Sequence, residues 1–108
     1  MKAIRNYTDA LQVAQEIQDA LNDELEKYGD KYYFETKERS EYVTMKVVNT
    51  SLNIATESQV EDITETIFTF QKMYGRANIS FYIETIQVAG SNESYYAPCW
   101  RIDIEKSK

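Results

Sequence analysis

Four carboxylates stand at helical spacing in the first quarter of the sequence. They lie at i, i+3, i+7 and i+10, and no lysine or arginine occurs from Asn6 to Glu26. At ~1.5 Å per residue the row covers about 15 Å, with one charge per ~4–5 Å, whereas a single DNA strand carries one per ~3.4 Å. The spacing therefore predicts a surface that imitates a nucleic-acid backbone toward a basic groove. Its residues are Glu16, Asp19, Asp23 and Glu26.

The alternative is an ordinary solvated helix face, which is common on surface helices. A one-sided row argues against it, because surface helices usually mix both signs. A second acidic region, from Glu57 to Glu65, is opposed only by Lys72 and surrounds Phe68. An exposed phenylalanine among charges is typical of a binding anchor, although residues 51–55 would cover it in the alternative arrangement. We expect Glu61, Glu65 and Phe68 to join the row in binding a partner.

Missing residue types exclude most catalytic chemistry. The chain has no histidine, one cysteine (Cys99) and three isolated glycines. Ser-His-Asp and Cys-His arrangements, the usual structural zinc sites and glycine-rich phosphate loops therefore cannot be built. Carboxylate pairs alone can still hydrolyse glycosides or hold Mg²⁺, but no spacing selects a pair among the eighteen carboxylates. The sequence predicts no catalytic residue, no cofactor and no metal.

Two amphipathic helices must position the acidic residues. Apolar residues recur at helical spacing from Thr8 to Tyr28 and from Glu57 to Tyr74. The residues predicted to cap them are Thr8 and Gly29 for the first helix, and Thr56 or Ser58 with Gly75 for the second.

After each helix the apolar period changes to two, which predicts two strands each time. The order αββαββ indicates a single α+β domain over residues 1–108: a four-stranded antiparallel sheet with both helices on one face. The apolar phase slips near Glu84 and Thr85, which predicts a β-bulge or a strong bend there. Pro98 cannot donate to a ladder, so the last strand begins at an edge or breaks there.

Local similarity favours an internal repeat of residues 7–50 and 56–105. The segment Tyr32–Thr36 (YYFET) matches Phe81–Thr85 (FYIET), each shortly after a helix that ends in Tyr-Gly. The alternative is that any two amphipathic αββ units share such patterns.

The sheet face away from the helices is a second candidate interface. The predicted alternation places tyrosines and an arginine there, and both residue types are enriched at protein interfaces. We expect a homodimer that packs sheet to sheet through Tyr33, Tyr42, Tyr82 and Arg101. Interleaved Glu35 and Glu84 and a net charge of −6 oppose phosphate binding, so we expect no direct nucleic-acid partner. A solvated face whose tyrosines serve strand propensity is the alternative.

These features predict a small, non-catalytic, acidic protein that blocks a basic surface on a larger protein. Size, acidity and tyrosine content resemble the class of phage or mobile-element inhibitors of host defence nucleases, such as anti-CRISPR and anti-restriction proteins. A dimeric acidic chaperone or adaptor, similar in broad composition to type III secretion chaperones, is the alternative. The third possibility is a carboxylate-based ligand-binding protein or weak enzyme.

The same composition predicts a cytoplasmic protein. No apolar run approaches the ~20 residues of a membrane span, the first six residues lack the apolar block of a signal peptide, and a lone cysteine fits a reducing compartment. We therefore expect no membrane partner.

Overall fold

A computed structural model of the chain describes residues 3–27, 32–39, 42–49, 57–89 and 94–107. Two helices and four strands follow one another in the predicted order αββαββ. They are α1 (Tyr7–Glu26), β1 (Tyr32–Glu38), β2 (Tyr42–Asn49), α2 (Glu57–Tyr74), β3 (Ile79–Ala89) and β4 (Ser94–Glu105).

The four strands form one antiparallel sheet in the order β1-β2-β4-β3. Both helices lie on one face of this sheet: α1 packs on β1, β2 and β4, while α2 packs on α1 and β3. This is the predicted α+β architecture. It leaves β1 and β3 as the two edges of the sheet, and it leaves one broad face, hereafter the outer face, without helices.

The core lies between the helices and the inner face of the sheet. Trp100 is its largest fully buried side chain, and its indole N–H donates to Thr64 Oγ1 of α2 at 3.2 Å. The apolar stripes of both helices are buried against the alternating residues of the central strands. The fully buried members include Ile4, Ile17, Leu21, Val43, Met45, Val47, Ile63, Ile67, Ile79, Ile102 and Ile104.

The first helix begins earlier than predicted. Asn6, not Thr8, is the N-cap, because its side-chain Oδ1 accepts the backbone N–H of Asp9 at 2.9 Å. Asp9 in turn accepts two hydrogen bonds from Arg5, the residue before the N-cap. Tyr28, Gly29 and Thr56, which were predicted to end α1 and to begin α2, lie outside the described residues.

The second helix has the predicted bounds, and Gly75 ends it. Gly75 has φ of 100°, a left-handed conformation that only glycine adopts without steric cost. Its N–H donates to the carbonyl of Gln71 at 2.7 Å, and its own carbonyl accepts from Asn78 and Ile79. This turn leads directly into β3.

Of the bulge or strong bend predicted near Glu84 and Thr85, the bulge is wrong. Every residue of β3 pairs in regular register with β4, from Ile79 opposite Ile104 to Ala89 opposite Ser94. The apolar phase slips because the last pair between β2 and β4 is Val48 with Cys99, so the burial that imposes the alternation ends there. Beyond it, β3 and β4 continue as a two-stranded arm. Pro98 lies at the start of that arm, where β4 has no ladder to β2 among the described residues.

The two segments that suggested an internal repeat have different registers in the sheet. Lys46 and Arg101 lie directly opposite each other in the central pair of strands. Glu35 pairs with Lys46, but Glu84 pairs with Cys99 and it is Tyr82 that pairs with Arg101. The matched pentapeptides are therefore displaced by two residues relative to this central pair, and the repeat itself stays a prediction.

Candidate interaction surfaces

The two helices concentrate the negative charge of the molecule. Together α1 and α2 carry ten carboxylates and one lysine, Lys72, a net charge of −9. The rest of the chain carries eight carboxylates and eleven cations, a net charge of +3, which gives −6 for the whole. Because both helices lie on one face of the sheet, the charge is segregated into an acidic helix layer.

Three of the four predicted residues of α1 form an exposed acidic row. Asp19, Asp23 and Glu26 are exposed, on the side of the helix away from the core. No cation occurs within α1, and Lys27, which follows it, binds Glu24 at 2.6 Å. The acidic row, defined as these three residues, therefore meets solvent without a neutralising lysine or arginine from its own helix.

Glu16 lies apart from the acidic row. It is half-buried, and its Oε2 accepts the hydroxyl of Tyr74 at 2.8 Å. Burial, together with this hydrogen bond to a carboxylate, raises the pKa of Tyr74 to about 12. Glu16 therefore joins α1 to α2. The helical spacing placed it in one row with the other three, and no local pattern indicated its tyrosine partner 58 residues later.

An open cleft of about 460 Å³ lies beside this contact, lined in part by Arg5, Asp9, Glu16 and Tyr74. Asp9 accepts from the backbone N–H of Arg5 at 2.9 Å and from its Nε at 3.2 Å, and the backbone hydrogen bond is the main cause that lowers the pKa of Asp9. Both carboxylates of the cleft thus have partners that fix the start of α1 and its contact with α2. They serve packing in this structure.

Acidic residues of α2 extend the layer, and Phe68 lies at its margin. Glu57, Glu61 and Glu65 are exposed. Phe68 is 41% exposed, and its ring meets that of Phe81 on β3 edge to face, with centroids 5.1 Å apart and planes at 79°. Phe68 is therefore seated on the inner side of the β3 edge. The predicted cover, residues 51–55, lies outside the described residues.

The outer face carries the predicted aromatic and charged residues. The register places Tyr33, Tyr42, Tyr82 and Arg101 on it, together with Glu35, Lys46 and Glu84. Tyr33 and Tyr82 are 54% and 46% exposed, and the Arg101 guanidinium lies 5.8 Å from the centroid of Tyr82. Charges of both signs alternate: Lys37 approaches Glu35 and Arg101 approaches Asp103, each at 3.9 Å. Homodimerisation through this face stays a prediction.

Cys99 is a packing residue of the outer face. It is fully buried between Val48 and Glu84 on the neighbouring strands. Burial raises the pKa of its thiol, and the carboxylate of Glu84 raises it further. A thiol held protonated and out of solvent is a poor nucleophile.

Sequence reasoning missed one exposed residue. Ile83 pairs with the fully buried Trp100 and shares its helix-facing side of the sheet, but Ile83 is 45% exposed. The reason is its strand: β3 is an edge, and one side of an edge residue has no neighbouring strand. Strand order decides this, and local periodicity does not reveal strand order.

Among the described residues, no group of three or more cysteine, aspartate or glutamate side chains is placed to hold a metal ion. No helix in the described part of the chain is long and apolar enough to cross a membrane. Comparisons with protein-family models, with curated proteins and with solved structures find no match to this chain.

Proposed function

We propose that this protein is a non-catalytic, cytoplasmic binding protein whose acidic helix layer covers a basic, nucleic-acid-binding surface on a larger protein. The class that fits is an inhibitor of the phage or mobile-element anti-defence type, which denies a nucleic-acid enzyme its substrate. The observation that carries the proposal is the charge segregation: −9 on two helices of one face in a chain of −6. The acidic row of α1 is its centre.

The spacing of the acidic row supports imitation of a phosphate backbone. Asp19 to Glu26 spans seven residues, or ~10 Å at ~1.5 Å per residue, so its three charges lie ~5 Å apart along the axis. A DNA strand places charges every ~3.4 Å, and a groove lined by lysine and arginine accepts either array. Carboxylates that already bind a lysine or arginine would gain less from such a groove, and those of the acidic row bind none within the described part of the chain.

Binding is expected to depend on the acidic row far more strongly than folding does. The three side chains are exposed and point away from the core, so reversing one charge should change the free energy of unfolding by only about 0.5 kcal/mol. At an interface, truncating one partner of a desolvated ion pair costs about 2–5 kcal/mol, largely because the other charge is left buried and unpaired.

The test is capture of the partner by the tagged chain from an extract of the cells in which it acts, followed by mass spectrometry. Proteins bound by the parent should be released by added duplex DNA and by raised salt. The double variant Asp19→Lys with Asp23→Lys should lose them. The matched control is Glu38→Lys with Glu105→Lys, which makes the same change in net charge at exposed positions on the sheet and should retain them.

If both double variants lose the captured proteins equally, net charge alone explains the binding, and this result would contradict a role for the acidic row. Capture that ignores DNA and salt, but is lost on Phe68→Ser, would contradict the proposal and favour the chaperone or adaptor alternative. Circular dichroism and thermal melts of all variants exclude unfolding as the cause.

A further inference from the structure

The two edges of the sheet are built differently. β1 has seven residues, and three of them, Glu35, Lys37 and Glu38, are charged. β3 has eleven residues with a single charge, Glu84, no proline and no bulge. Natural edge strands are usually short, charged or bulged, because their free N–H and C=O groups otherwise pair with another chain. β1 has these protections and β3 lacks them.

Exposed apolar side chains collect at the same edge. The described residues contain four large exposed hydrophobic side chains, and only Tyr33 lies elsewhere. Ile83 projects from the inner side of β3, Tyr82 from its outer side, and Phe68 is held beside it by the contact with Phe81. An unprotected edge flanked by apolar groups on both sides is suited to a neighbouring strand.

We infer that the edge of β3, which no strand of the described residues covers, pairs antiparallel with β3 of a second copy of this chain, which joins the two sheets into one of eight strands. Antiparallel pairing of a strand with itself is isologous and closes at a dimer. The side-chain amide of Gln71 already donates to the carbonyl of Ile79 at 2.8 Å, so the new ladder begins at Ser80. With Ile83 on the two-fold axis it runs from Ser80 to Ile86.

Charge complementarity selects a second copy and this register. With Ile83 on the axis, Tyr82 lies opposite Glu84 of the second copy. Arg101 lies over Tyr82, and its buried Nε, 3.9 Å from Asp103 of the same copy, has no hydrogen-bond partner within the described structure. At ~4.8 Å between strands, the second copy's Glu84 comes within reach of that guanidinium. On the inner face the two Ile83 side chains meet, flanked by both Phe68 rings.

Salt should strengthen this dimer. Each copy carries −6, and α2, which packs on β3, brings the exposed Glu61 and Glu65 close to the joint. Salt screens this long-range repulsion between exposed charges more than it screens the close, half-buried pairing of Arg101 with the second copy's Glu84, so the net effect favours the dimer. Binding of a basic partner to the acidic row should instead weaken when salt is raised. An experiment can therefore contradict the dimer without contradicting the proposed function, and the reverse.

Sedimentation velocity of the full chain, from low to high micromolar concentration, provides the test. The parent should approach twice 12.6 kDa, at lower concentration when salt is raised. Ile83→Lys places two like charges on the axis and should raise the dimer dissociation constant at least about tenfold. The matched control is Thr36→Lys, which puts the same lysine at an exposed position of the β1 edge and should leave the constant unchanged.

A cross-link tests the register and does not depend on how the lysine variant folds. Ile83→Cys should give a covalent dimer on mild oxidation, since Cys99 is fully buried and does not compete. A parent that stays monomeric throughout overturns the inference, as does an equal effect of Thr36→Lys. A dimer that is lost with Tyr33→Glu but survives Ile83→Lys would place the contact on the outer face. A dimer whose Ile83→Cys variant does not cross-link would contradict the register. Asp19→Lys with Asp23→Lys lowers the net negative charge of each copy and should not weaken the dimer.

Discussion

The first half of the molecule (α1, β1 and β2) and the second half (α2, β3 and β4) have the same order of elements but present different surfaces. The first has a helix with six carboxylates and no cation, and a short charged edge. The second has Phe68 on its helix and a long, nearly uncharged edge. Shared topology therefore fixes neither the partner nor the kind of contact. The residues outside the core determine both.

The halves are joined at two levels. In the sheet, β2 and β4 pair antiparallel from Tyr42 opposite Glu105 to Val48 opposite Cys99. In the helix layer, the hydroxyl of Tyr74 donates to Glu16. The acidic row and the β3 edge lie on opposite flanks of this joint, one on each half. The two proposals therefore use different halves of one copy: the first half for a basic partner and the second half for self-association.

Truncating a core side chain is expected to cost more stability in the second half than in the first. Trp100→Ala should lower the free energy of unfolding by about 3–5 kcal/mol, because it empties a fully buried site and removes the hydrogen bond to Thr64. Met45, fully buried on the neighbouring β2, has no such bond, so Met45→Ala should cost less, within about 2–5 kcal/mol. Urea denaturation measures both, and a greater loss for Met45→Ala would contradict this ranking.

The joint between the helices predicts a loss of stability in alkali. The pKa of Tyr74 is about 12 in the folded chain against an ordinary value of 10.0, so the unfolded chain releases this proton first as the pH rises. The protonated Tyr74 therefore contributes on the order of 2 kcal/mol to the free energy of unfolding. This contribution is complete below pH ~10 and is lost as the pH rises toward ~12. Melting temperatures of the parent and of Tyr74→Phe, followed across this range, isolate it.

Tyr74→Phe should start from a slightly lower melting temperature at neutral pH and then fall less steeply in alkali than the parent. Glu16→Gln keeps an acceptor for the hydroxyl but removes the charge, so its slope should be intermediate. Parallel slopes for the parent and Tyr74→Phe would show that this tyrosine does not govern the alkaline transition.

Periodicity predicted the features that are determined within a single helix or strand. The class, the element order, the bounds of α2 and its end at Gly75 were predicted, because stripes of apolar residues and a left-handed glycine are local patterns. The exposure of Ile83, the partner of Glu16 and the regular pairing across Glu84 were not. Each depends on which elements become neighbours, and that information is distributed along the whole chain.

The smallest expected effect concerns the start of the first half. Asn6→Ala removes the acceptor for the N–H of Asp9 and should lower the free energy of unfolding by about 1 kcal/mol. Thr8→Ala, at the position that the sequence favoured as the cap, should change it by less than about 0.5 kcal/mol, because Thr8 is exposed within the first turn. Urea denaturation of the two variants decides between the caps. A larger loss for Thr8→Ala would mean that α1 begins two residues later and that the Arg5–Asp9 contact is not part of its native cap.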